Sequence, residues 1–254
     1  MKGLTKHRIR QIAQDFWSST PVKYTTPCNL AHAAQSIFPI SITSFPNLAL
    51  EPVRFWFESR NIPLPVRHDG RKLRACLVAY EGMGMIFLDG TDSEHERRFS
   101  LAHELAHFIL DYHLARQVAA RVLGEGIAHV VDGKRYATIE ERLDGILSGI
   151  DLGPFIHTMD RAKDGRIPTS AIQDSENMAD LLALELAIPH KQVEIFMNDK
   201  WEEWDRSGEA RQNISKEASL RYGIPAYFVH EHLGLAAIER STAEPFTAWL
   251  RKER

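Results

Sequence analysis

The chain has 254 residues, 44% of them hydrophobic and 26% charged, with 31 Lys and Arg set against 34 Asp and Glu for a formal net charge of −3. That composition suits one or two soluble globular domains and gives no global electrostatic case for nucleic-acid binding. No apolar run approaches the roughly 18 residues of a membrane span, and the positive charge at Lys2 to Arg10 lacks the apolar core of a signal peptide.

Residues 4–18 place Ile9, Ile12, Phe16 and Trp17 on or near one face, which predicts a short amphipathic helix, and Asn29 to Phe38 predicts a second. From Ile40 to Leu88 the signals turn to strands separated by prolines. The clearest pair is Ala75 to Tyr80 and Met83 to Leu88, joined at Glu81-Gly82 as a tight hairpin whose sheet edge could hold an extended peptide. Within this region Phe55-Trp56-Phe57 reads as packing rather than a recognition platform.

Ser93 and Glu96 have capping-box spacing, so a helix starts near residue 94. Residues 114–170 read as a helical insertion, with helices at Leu114 to Leu123 and Thr138 to Leu147. Gly124, Gly126, Gly133, Gly149, Gly153 and Gly165 punctuate the rest. An active-site lid and a packed add-on both fit it, and its His129 and His157 read as surface or internally satisfied histidines. Helical signals resume at Ser175 to Pro189, at Lys191 to Trp204 and at Arg211 to Leu235. Ala218 to Val229, around Tyr222-Gly223-Ile224-Pro225, resembles part of a helix-turn-helix without a basic recognition helix. Cys28 and Cys76 are far apart and outside any ligand spacing, as expected of free thiols in a reducing cytoplasm.

The chemistry concentrates in His103-Glu104-Leu105-Ala106-His107, an H-E-x-x-H motif that random ordering of this composition would produce roughly 0.04 times. On a helix the two histidines lie about 40° apart and reach one point, which suits two ligands of a zinc ion. Glu104 is then placed to take a proton from water at the metal. Zinc in a catalytic site usually takes a third protein ligand. His113 has the metzincin spacing, but a continuous helix turns it about 240° away from His107, and Leu110 stands where the helix-breaking glycine is needed. Glu176 is the better candidate. It extends the buried stripe of Ala179, Leu182, Ala183, Leu186 and Ala187, where a carboxylate is costly unless a cation meets it. Asp180, one turn on, is placed to accept a hydrogen bond from a ligand histidine.

These residues resemble the ImmA/IrrE-type metallopeptidases. Arg97-Arg98-Phe99-Ser100-Leu101-Ala102 before the motif is similar to that family's block. Glu176, Ala179, Ala183, Leu186 and Pro189 fall in order on its downstream E-x-x-A-N-x-F-A-x-x-L-L-x-P pattern. Asp180 stands where the family has Asn, Leu182 where it has Phe, and residues 114–170 lengthen the link between the two blocks. The resemblance implies His103, His107 and Glu176 as zinc ligands and Glu104 as general base.

The expectation is an α+β, zincin-like metallopeptidase core in which a small sheet packs on the H-E-x-x-H helix. It would occupy residues 1–195 with the helical insertion at 114–170, followed by a helical C-terminal extension over 196–254. The function expected is that of a cytoplasmic zinc endopeptidase, with Mn²⁺ or another divalent ion also compatible with the ligands. By resemblance its protein substrate would be a helix-turn-helix transcriptional repressor in a stress or mobile-element response. The alternative is a non-catalytic metal-binding regulator that contacts protein or DNA through the C-terminal helices.

Overall fold

A computed structural model of the chain describes residues 5–60, 70–132, 134–148, 155–160 and 170–252. Lys2, Gly133, Gly149, Gly153 and Gly165 lie outside them. Three elements come first: α1 (Lys6–Ser19), α2 (Leu30–Ile37) and β1 (Ile40–Phe45). They lead into α3 (Leu50–Glu58) and a hairpin of β2 (Leu73–Tyr80) and β3 (Met83–Asp89). At its turn Glu81 and Gly82 both have positive φ, 52° and 82°, as a type I′ turn requires.

Next come α4 (Glu94–His107), a π-helical turn (Phe108–His113) and α5 (Leu114–Leu123), then α6 (Ala128–Val131), α7 (Ile139–Ser148) and β4 (Phe155–Asp160). The chain closes with α8 (Ser170–Ala187), α9 (His190–Met197), α10 (Trp201–Arg206), α11 (Gly208–Tyr222) and α12 (Ala226–Lys252).

The described strands form one mixed sheet in the order β1-β3-β2-β4, with β1 parallel to β3 and β2 antiparallel to both neighbours. Strand alternation divides its side chains between two cores. Ala75, Leu77, Ala79, Ile86 and Leu88 face the larger one, shared with α4 and α8. Cys76, Val78, Met85 and Phe87 face the smaller one, closed by Leu50, Val53 and Phe57 of α3. The larger core also takes in Trp204, Ile214, Tyr222, Val229 and Leu233 of the C-terminal helices.

Two glycines are fixed by their surroundings. A Cβ at Gly84 would lie 2.9 Å from the Phe108 ring, so the sheet meets the π turn there without room for a side chain. Gly223, with φ 68° and ψ 30°, ends α11 in the left-handed conformation. The turn resembling a helix-turn-helix is therefore built on this cap, between α11 and α12.

Two sequence expectations need correction. Residues 50–58 are helical rather than extended: Leu50, Val53 and Phe57 repeat at helical spacing and bury one face, while Phe55 is 72% exposed. Packing of that face overrides the strand propensity of the aromatic run. The insertion is helical in α5, α6 and α7 but also supplies β4, which a six-residue segment among glycines does not reveal without its partner strand. Both cysteines are free thiols, Cys76 buried and Cys28 half-buried. Among the described residues no helix is long and apolar enough to cross a membrane.

Besides the pairing of β4 with β2, a buried carboxylate ties the insertion to the hairpin. Asp132 accepts from Arg116 Nε at 2.6 Å, Arg116 Nη2 at 2.8 Å and the Tyr112 hydroxyl at 3.2 Å, and that hydroxyl accepts from Gly82 N at 2.9 Å. Burial would raise the Asp132 pKa, but Arg116 and Tyr112 outweigh it and hold it below the ordinary value. Asp132→Asn should lower the unfolding free energy by about 2–3 kcal/mol in urea titrations. This is less than the cost of breaking a fully buried pair, because Arg116 is about one-third exposed. Since the folded pKa is the depressed one, the wild-type advantage is present above the unfolded value of about 3.9 and is lost as pH falls through the folded value.

Candidate metal centre

Helix α4 starts where the Ser93 side chain accepts from Glu96 N. The reciprocal half of the capping box is replaced: the Glu96 carboxylate takes Arg74 at 2.7 Å and the Tyr227 hydroxyl at 3.2 Å. From Phe99 to His107 every residue of α4 is buried, so the motif lies inside the protein and faces α8 and the sheet.

His103 Nδ1 lies 2.9 Å from Asp180 Oδ1, and His107 Nδ1 lies 2.7 Å from Asp111 Oδ2, which also accepts from Ser175 Oγ at 3.2 Å. Each carboxylate places the ring proton on Nδ1 and leaves Nε2 as the free donor atom. The two Nε2 atoms are 3.2 Å apart. Glu176 brings its carboxylate to the same point, 3.5 Å from His103 Nε2 and 3.8 Å from His107 Nε2. Two imidazole lone pairs facing each other beside a carboxylate need a shared positive charge, and a divalent metal supplies it. The donor set therefore fits a metal ion.

His157 enters from β4. Its Nδ1 is 2.9 Å from Glu104 Oε2, its Nε2 is 3.1 Å from Glu176 Oε1, and its ring stacks on that of His107. One donor atom from each of His103, His107, His157 and Glu176 lies within 4.8 Å of all the others, a group able to hold a metal ion. Glu104 is fully buried, and its Oε1 has no hydrogen-bond partner among the described residues.

The side chains of the donor cluster shift one another's protonation. Burial would lower the His103 pKa, but Asp180, Glu176 and Glu104 outweigh it and raise it to about 9. Burial acts the same way on His157, where Glu104 and Glu176 prevail and raise it to about 10. Burial would raise the Glu176 pKa, yet the three imidazoles hold its carboxyl far below the usual carboxylate range.

His103, His107 and Glu176 converge as the sequence suggested, Glu104 lies beside them and Asp180 meets His103. His113 points elsewhere, against Phe38 and Phe108, because the π turn continues the helix beyond His107. Of the two readings of His157, the surface one is corrected: its side chain is 13% exposed and both ring nitrogens are satisfied, by Glu104 and Glu176, within the donor cluster. In the strand Phe155-Ile156-His157-Thr158-Met159 it shares a face with Phe155 and Met159, which pack on the larger core. Asp111 was also missed, although its place four residues after His107 on a helix was a usable signal.

Metal binding must expel the protons held on the raised imidazoles. Titration calorimetry with a divalent metal should show proton release, and affinity should fall between pH 8 and pH 6 by about tenfold per pH unit for each proton displaced. A pH-independent affinity would contradict this arrangement.

No curated protein matches the chain. Residues 64–124 match the family model Peptidase_M78, described as the IrrE N-terminal-like domain. The matched stretch carries the hairpin, α4 and the π turn, hence His103, Glu104, His107 and Asp111, whereas His157, Glu176 and Asp180 lie beyond it. Across those residues the chain resembles the IrrE-type metallopeptidases, with an α+β fold consistent with their core.

Proposed function

We propose that the chain is a zinc-dependent endopeptidase of the cytoplasm that cuts a protein substrate. The observation that carries this reading is the buried Glu104, set on one helix between two histidines whose Nε2 atoms meet the carboxylate of Glu176. His103, His107 and Glu176 would hold the ion. Zinc, when bound, supplies Lewis-acid polarisation of the scissile carbonyl and lowers the pKa of water. Asp180 and Asp111 fix the ring orientation and tautomer of His103 and His107. Glu104 takes a proton from the attacking water and delivers it to the leaving amine.

The resemblance supports a helix-turn-helix transcriptional repressor as substrate, cut in a stress or mobile-element response. Mn²⁺ or another divalent ion would suit the same donors, since ligand type alone discriminates weakly among them.

One observation favours a second reading. With His157 the pocket offers four protein donors, the closed set of structural zinc sites. Glu104 would then merely orient His157, and the chain would be a non-catalytic regulator that engages protein or DNA through α11 and α12.

Glu104→Gln should keep the metal and lose peptide hydrolysis by a factor of about 10² or more, assayed on candidate repressors by gel electrophoresis. Hydrolysis at the wild-type rate would remove Glu104 as the base. Asp180→Ala should weaken metal affinity by about 10- to 100-fold in chelator competition, and undiminished affinity would remove its orienting role.

A further inference from the structure

We propose that β4 is a built-in occupant of the substrate cleft: an extended substrate peptide binds by taking the place of β4 along β2, and His157 leaves the donor cluster when it does. The inference rests on the peptidase reading of the centre and concerns its regulation.

Two independent observations meet at this strand. The first is its pairing. Beyond β2, on the side nearest the metal centre, β4 is the only strand among the described residues, and Ala75 to Ala79 pair antiparallel with Met159 to Phe155. An extended peptide can pair with these backbone groups of β2 only where β4 has left them. β4 is also less buried than the two central strands. All six of its residues are partly exposed, whereas β2 and β3 are buried along most of their length. Its Arg71–Asp160 ion pair, at 3.0 Å, is partly exposed and clamps it weakly.

The second observation is what β4 carries into the pocket. His157 lies opposite Leu77, on the sheet face turned to α4. Both of its ring nitrogens are committed, one to Glu104 and one to Glu176. It therefore engages one carboxylate oxygen of Glu104 and completes a four-donor set that fills the position a substrate would need. A strand that fills the peptide edge and also blocks the reacting position behaves as an intramolecular stand-in for substrate.

The register offers a lock. Thr158 pairs with Cys76, and the Cα separations of directly opposed antiparallel residues, about 4.5–5.5 Å, fall within the disulfide range. Thr158→Cys should therefore form a reversible disulfide with the natural Cys76.

The test uses the full chain loaded with Co²⁺ as wild type, His157→Ala and Thr158→Cys, reading metal content, visible absorption and affinity for acetohydroxamate. The proposal expects all three to hold metal. His157→Ala should show altered cobalt bands and bind acetohydroxamate about tenfold more tightly or better, because the imidazole that completes the donor set no longer has to leave first. Oxidised Thr158→Cys should bind it more weakly than wild type, with reductant restoring the affinity.

Identical spectra and affinities in wild type and His157→Ala, with metal in both, would overturn the strand's role and leave the peptidase reading standing. Metal loss from His157→Ala alone would make His157 a permanent ligand and also overturn the proposal. Absence of metal from all three would remove the peptidase reading and the proposal with it.

Discussion

Ala102 and Ala106 on α4 and Ala179 and Ala183 on α8 are all fully buried, and the functional side chains on these two helices meet in reverse order. His103 faces Asp180, His107 lies near Glu176, and Asp111 reaches Ser175. This antiparallel approach of two alanine-lined helices is the constraint on which the rest depends. Larger residues at those positions would separate the helices and take the carboxylates out of reach of the imidazoles. The hairpin and β4 then close the pocket from the sheet side, and the C-terminal helices close it from below through Phe228, which stacks on Phe99 one turn before His103.

Such a site is expensive to fold without a cation. Buried carboxylates and imidazoles lose their hydration, and only mutual pairing offsets that loss. The pocket answers with paired charges on every imidazole: Asp180 for His103, Asp111 for His107, and Glu104 with Glu176 for His157. The π turn after His107 belongs to the same solution. It carries the chain on without the break that would bring His113 back, so the third donor must come from another helix.

Much of this was legible in the sequence. Period and capping fixed α4, the spacing of His103 and His107 set their shared direction, and an acidic residue extending an apolar stripe singled out Glu176. The hairpin at Glu81-Gly82 was readable because its turn type demands those conformations. What escaped depends on non-local pairing. His157 looks ordinary until β4 is laid against β2, since six residues with two apolar side chains on the histidine's face carry too little periodicity to announce a strand. Helix α3 escaped for the opposite reason: its aromatic residues favour a strand locally, and only burial of Val53 and Phe57 against the sheet decides for helix.

The central claim is that α4 and α8 together build one metal site, and elemental analysis of purified wild type beside Glu176→Ala tests it most directly. The account predicts about one zinc per wild-type chain and its near-complete loss from the variant under identical conditions. Equal metal in both proteins would contradict it, because the carboxylate from α8 would then contribute nothing to holding the ion.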